Sequence, residues 1–110
     1  MPIEFDPQKD ARNIALRGIS LAAAETLLSG YVVEREDDRR DYGGIRIVAL
    51  GEIGGVEYVC AYTRRGKAVR PISLRRAKRK ERDVYREAKA AHNAANQART
   101  GLGSAGGADR

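Results

Sequence analysis

Residues 45–62, IRIVALGEIGGVEYVCAY, decide how this chain folds. Two strand-like runs, 45–50 and 56–62, flank Gly-Glu-Ile-Gly-Gly, and the paired glycines permit the positive φ angles of a tight hairpin. Downstream, a turn at Arg64-Arg65-Gly66-Lys67 leads into a further strand over residues 68–74. Pro71 cannot donate a ladder hydrogen bond, so this strand either lies at an edge there or carries a bulge. Upstream, residues 31–34 (YVVE) read as a short strand, joined to the hairpin by the polar loop EDDRRDYGG. The expected unit is a four-stranded, mainly antiparallel meander.

Helices flank it in sequence. Asp6 and Pro7 form a helix start, because an Asp side chain accepts orphan backbone N–H groups and Pro suits the first helical position. Ala11, Ile14 and Ala15 follow at helical spacing and Gly18 is a C-terminal stop. Ser20 caps a second short helix over about 21–29, with Leu21, Ala24, Leu27 and Leu28 as its apolar stripe and Gly30 at its end. The two make a helical hairpin. A third helix is expected from about Arg76, with Ala77, Glu81, Val84, Tyr85, Ala88 and Ala91 toward the sheet. The order ααββββα, with the helices on one face, is an α+β domain. Residues 1–90 are expected to form the domain and 91–110 an Ala/Gly-rich extension, disordered after Thr100.

At 110 residues there is room for one modest core. No apolar run is long enough for a membrane span, and MPIEFDPQKD has no signal-peptide pattern, so the cytoplasm is the expected compartment. One cysteine, Cys60, and one histidine, His92, argue against a disulfide, a zinc site or any cofactor held by such ligands. The net charge of +6 is unevenly spread. Residues 1–60 carry seven Lys/Arg against eleven Asp/Glu, whereas residues 61–100 carry thirteen against three. Such asymmetry points to an anionic partner, nucleic acid first among them.

The basic half centres on residues 70–82, RPISLRRAKRKER, with seven cations and one carboxylate. A solvated helix face is the plain reading. Against it, three segments bring cations toward what alternation makes one end of the sheet: the turn with Arg64, Arg65 and Lys67, the last strand with Arg75, and the helix start with Arg76, Lys78, Arg79, Lys80 and Arg82. Alternation puts Ser73 and Arg75 on one face of that strand, and Arg70 on the other with Ile72 and Leu74. Glu81 lies on the inward stripe of the third helix, where an unpaired carboxylate would cost several kcal/mol if buried. Arg75 is its expected partner. A structural clamp, a group orienting a catalytic Arg, and an exposed carboxylate remain open as its role.

FDPQKDARNIALRGIS, DYGGIRIVALGEIGG, YTRRG and RPISLRRAKRKERDVY together resemble the BrnT toxins of bacterial BrnT/BrnA toxin–antitoxin pairs. The resemblance covers about residues 3–87 and rests on Phe5, Asp6, Lys9, Asn13, Gly44, Arg46, Ile72, Ser73, Arg75, Ala77, Glu81 and Tyr85 in order. Two positions depart: Leu16-Arg17-Gly18 stands where the family has Lys-His-Gly, and Pro71 replaces an apolar residue. The resemblance implies a RelE/ParE-like fold, RNA cleavage, neutralisation by a BrnA-type antitoxin, and binding of the pair to its own operator DNA.

Metal-independent RNA cleavage uses the substrate's 2′-OH as nucleophile, and needs a proton acceptor, charge stabilisation on the phosphate and a proton for the leaving 5′-oxygen. Arginine suits the phosphate, with its planar donor fork and permanent charge. The catalytic candidates are Arg75, then Arg65 and Arg64, then Arg46; Glu81, Tyr62 and Tyr85 are candidates for proton transfer. Arg70, Arg76, Lys67, Lys78, Arg79, Lys80 and Arg82 are expected to bind RNA, with Lys9 and Arg17 contributing from the helical hairpin. The rivals are a toxin of the same fold that poisons a protein such as gyrase, favoured by the missing family His, and a plain basic nucleic-acid-binding module.

Overall fold

In the computed structural model, which describes residues 2–38 and 44–104, the sheet is built around the expected hairpin. Strand β2 (Arg46–Ile53) pairs antiparallel with β3 (Val56–Arg65), from Arg46 opposite Thr63 to Ile53 opposite Val56. Gly54 and Gly55 close it with φ of 57° and 82°, the two left-handed residues whose twist matches the flanking strands. Strand β1 (Val33–Glu36) pairs with β2 and β4 (Ala68–Arg76) with β3, giving the antiparallel order β1-β2-β3-β4. β1 starts two residues later than expected, because the Tyr31 carbonyl accepts the Tyr85 hydroxyl at 2.9 Å rather than entering the ladder. The loop expected over 36–44 lies largely outside the described residues.

Pro71 marks both an edge and a bulge. β4 is the outer strand, and its register against β3 slips between Ala61 (opposite Ser73) and Tyr62 (opposite Pro71), leaving Ile72 as the extra residue. Its free edge is blanketed. The Val69 N–H donates to Pro2 O at 2.9 Å, and Val69 O accepts from Glu4 N at 3.0 Å. Farther along, the Asn13 side chain takes both backbone groups of Leu74. An edge so covered offers little template for another strand.

Helix α1 (Pro7–Arg17) begins at Asp6, whose carboxylate accepts from Gln8 N at 2.8 Å, and stops at Gly18, φ 74°. Its expected apolar positions Ala11, Ile14 and Ala15 face solvent; the buried residue is the polar Asn13. A 3₁₀ turn (Leu21–Ala23) capped by Ser20 leads into α2 (Ala24–Ser29). Leu21, Ala24 and Leu27 are fully buried there, against Ala49, Cys60, Tyr62, Val69 and Leu74 of the sheet. Gly51 allows this approach: a Cβ there would lie 2.8 Å from the Leu27 side chain.

Helix α3 (Arg79–Ser104) packs on the opposite face, which corrects the expectation that all helices share one. Gly51 faces Leu27, and the next residue, Glu52, points the other way and pairs with Lys89 of α3. Glu57 likewise pairs with Arg86 at 2.8 Å. α3 starts three residues later than expected, since β4 continues through Arg76 and Ala77 N donates to Glu57 O. It runs without a break across residue 90 and four residues past Thr100, where disorder was expected; residues 105–110 lie outside the described ones. Tyr85 is buried beneath it, whereas Val84 and Ala91 of the expected inward stripe are exposed.

Candidate active site

The bulge decides which cations meet. Beyond it, parity along β4 reverses, so Arg70 lies opposite Thr63 and Thr63 opposite Arg46, one rung across three strands. Alternation had placed Arg70 on the other face, with Leu74. Arg65, two residues past Thr63, extends the same face toward the turn. α1 starts beside this corner and brings Asp6 and Lys9. Together Lys9, Arg46, Arg65 and Arg70 surround a cavity of about 400 Å³, with Asp6, Thr63, Pro71 and Ile72 completing its lining. Lys9, Arg65 and Arg70 make no hydrogen bond or ion pair with any described residue. Three permanent or near-permanent charges without partners among the described residues thus border one cavity, and their summed positive potential favours an anion there.

Arg75 is different. Its guanidinium grips Glu81 through two parallel bonds of 2.9 and 2.8 Å, and donates a third to Arg76 O at 3.2 Å. Glu81 also accepts from Lys78 N at 2.7 Å, the reach-back of a helix capping box. Arg75 first, then that N–H, hold the carboxyl down at about 2, against the opposing effect of burial. The pairing expected of Glu81 with Arg75 is present, and it welds β4 to α3. Five residues separate Arg70 from Arg75, roughly 15 Å along a strand, too far to share one phosphate. The expected convergence therefore splits. The turn cations and Arg70 gather at one end of β4; Arg75, Arg76 and the start of α3, with Lys78, Arg79, Lys80 and Arg82, stand at the other. Of these, Lys80 lines an apolar groove of about 270 Å³ beside Val33, Val48, Leu50 and Val84, and Arg82 donates to Ala77 O.

The two tyrosines lie elsewhere. Tyr62 is on the core face, where its hydroxyl donates to Glu34 and the Arg64 guanidinium sits 5.5 Å over its ring. Burial, then the Glu34 bond, push its pKa up to about 12. Arg64 therefore points away from Arg65. Tyr85 is buried, with burial raising its pKa as well, and its hydroxyl is spent on Tyr31. Arg17 is exposed at the far end of α1 and Lys67 in the β3–β4 turn. His92 stacks on Tyr31, ring centroids 4.5 Å apart, along α3. Two residues line the cationic cavity where the sequence reading did not put them: Arg70, expected to bind RNA but placed on the other face by parity, and Asp6, read as a helix cap and a family position. Pro71 signalled the irregularity but not its consequence for Arg70.

A profile of the family described as "Ribonuclease toxin, BrnT, of type II toxin-antitoxin system" matches residues 5–81, more than two thirds of the chain. The chain belongs to this BrnT family. It is accordingly a ribonuclease toxin of a type II toxin–antitoxin system, with RNA as target and an antitoxin as partner. No curated relative matches the chain. The BrnT match takes in every residue of the cationic cavity and ends at Glu81, the helix side of the clamp, so most of α3 lies beyond it. No helix among the described residues is long and apolar enough to cross a membrane.

Proposed function

We propose that the cavity bordered by Lys9, Arg46, Arg65 and Arg70 is where this toxin grips and cuts RNA, without a metal ion, by attack of a ribose 2′-OH on the adjacent phosphorus. The observation carrying this is the commitment of charge: Lys9, Arg65 and Arg70 are unspent around one cavity, whereas Arg75 is spent on Glu81. Arginine forks preset around a phosphate stabilise the extra charge of the pentavalent transition state without reorganising. Arg75 then serves by fixing β4 to α3, and Arg76, Lys78, Arg79, Lys80 and Arg82 extend the positive field along the flanking strand of RNA. The strand order and edge coverage support a RelE/ParE-like arrangement of the sheet and helical hairpin, and an RNA target fits action in the cytoplasm. The partner in this reading is a BrnA-type antitoxin that covers these cations and joins the toxin at operator DNA.

The test is cleavage of a defined RNA by the purified chain in excess EDTA, with Arg70→Ala and Arg65→Ala. Each loses one preset donor, worth about 3 kcal/mol, and cleavage should fall a few hundredfold. Full activity in both variants would move the site elsewhere. Absence of cleavage by the parent chain, with growth arrest on expression, would favour a non-catalytic poison of a protein such as gyrase. Binding that weakens steeply with salt, with neither cleavage nor arrest, would leave only a nucleic-acid-binding module.

A further inference from the structure

We infer that Asp6 is the proton acceptor of the cleavage reaction, a role beyond its place as helix cap; the inference rests on the cavity being the site of RNA cleavage. Asp6 is the one carboxylate among the described residues that line this cavity. One of its oxygens, Oδ1, accepts from Gln8 N at 2.8 Å. The side chain makes no other hydrogen bond and no ion pair with any described residue, so Oδ2 is left without a bond in a residue that lines the same cavity as Lys9 and Arg70. Every other group offered for proton transfer is spent. Both Glu81 oxygens bind Arg75, the Tyr62 hydroxyl faces the core and Glu34, and Tyr85 is buried against Tyr31. The nearby Asp10 uses one oxygen for Ser20 Oγ and Leu21 N, on the hairpin side of α1.

The geometry also fixes Asp6. Its backbone precedes the first turn of α1, and the Gln8 bond restrains the carboxylate, so less side-chain entropy is lost when substrate arrives. In the reaction, the 2′-O–H proton passes to Oδ2 as the 2′-oxygen bonds to phosphorus. The P–O5′ bond breaks, and the departing oxygen takes a proton from water. The hydroxide so formed removes the proton from Asp6 and resets it, leaving a 2′,3′-cyclic phosphate and a 5′-hydroxyl. Atoms and charge balance with no other reactant.

Asp6→Asn is the decisive variant, because Asn caps a helix as well as Asp does and cannot accept this proton. Asp6→Ser, another strong cap, serves as a second. We expect both to melt with the parent chain, to bind RNA at least as tightly, and to cleave it on the order of a hundredfold to ten-thousandfold more slowly. Cleavage within about threefold of the parent, with Arg70→Ala still defective, overturns the role of Asp6 and leaves the cavity standing. Unchanged cleavage in Arg70→Ala and Arg65→Ala as well overturns the cavity itself. One measurement needs no variant: the parent chain should spare an RNA carrying a single 2′-deoxy residue at the scissile position. Cutting there would mean no 2′-OH proton exists for Asp6 to take.

Discussion

Asn13→Ala should separate the helical hairpin from the sheet more than any other single truncation of a polar side chain. Asn13 is 7% exposed, and its amide makes three hydrogen bonds. Nδ2 donates to Ile19 O and Leu74 O, each at 2.9 Å, and Oδ1 accepts from Leu74 N at 3.1 Å. Two of these reach β4 across 61 positions of chain and stand in for a fifth strand at the sheet's edge. Truncation strands the Leu74 N–H and one or both carbonyls in a place water reaches poorly. An unmet buried donor costs about 1–3 kcal/mol and each carbonyl about 1 kcal/mol, so the expected loss is about 3–4 kcal/mol. For a domain stabilised by about 5–15 kcal/mol, that is a large fraction, and it should lower Tm by more than 10 °C. Urea unfolding followed by circular dichroism reads it directly, as a fall in midpoint at constant slope. Hydrogen exchange at the Leu74 amide should quicken in the variant. Asn13→Asp should be worse still, since it sets a carboxylate oxygen against two carbonyls. A loss under about 1 kcal/mol in Asn13→Ala would refute the account, showing that water or a shifted β4 replaces the amide. Because α1 carries Lys9 and Asp6 to Arg70, cleavage should decline in the same variant even below its melting temperature.

Two further outcomes follow from packing and charge. The Glu81 carboxyl is held at about 2, chiefly by Arg75, below the value near 4.5 of the unfolded chain. Its contribution is therefore present above about pH 4.5 and is lost as the pH falls toward 2. Both side chains are nearly one-third exposed, so solvent screening leaves about 1–2 kcal/mol of the pair. Glu81→Gln should accordingly be less stable than the parent at pH 6, with the gap narrowing steadily below about pH 4.5 in urea titrations; a gap independent of pH would mean the clamp is not electrostatic. Gly51→Ala should destabilise by about 1–3 kcal/mol, since the added methyl would lie 2.8 and 2.9 Å from Leu27 carbons and 3.1 Å from Val32. A neutral substitution would show that α2 can shift outward at no cost.

What local chemistry controls was legible in the chain. Gly54-Gly55 defined a hairpin because few residues tolerate two successive left-handed conformations; Asp6-Pro7, Gly18 and Ser20 marked helix ends for equally local reasons. What depends on distant partners was not. Ala11, Ile14 and Ala15 form an apolar stripe, yet α1 turns Asn13 inward, because the Leu74 backbone beside it offers both a donor and an acceptor that no aliphatic side chain can satisfy. The placement of α3 was equally hidden. An amphipathic helix fits either face of a sheet, and the choice is fixed by Arg75, Glu57 and Glu52 pointing away from α2 toward Glu81, Arg86 and Lys89.

The cationic cavity was not legible in the sequence for two separable reasons. Strand parity is a running count, so the single extra residue at Ile72 reverses the facing of every residue between it and the turn, and Arg70 passed from the supposed core side to the cavity. Pro71 warned of a bulge without saying on which side of it the count would change. The second reason is that a sequence counts charges but does not show which are already engaged. Arg75 and Arg70 are the same residue type five positions apart in one strand. One is neutralised by two bonds to Glu81; the other reaches no described carboxylate. A guanidinium already paired with a carboxylate meets a phosphate with its charge partly compensated and fewer donors to offer, whereas an open one, prearranged with Lys9 and Arg65, brings its full charge and loses only water. Lys9, Arg65 and Arg70 are among the cations that folding leaves without a bond to any described residue, and these three border one cavity beside Asp6.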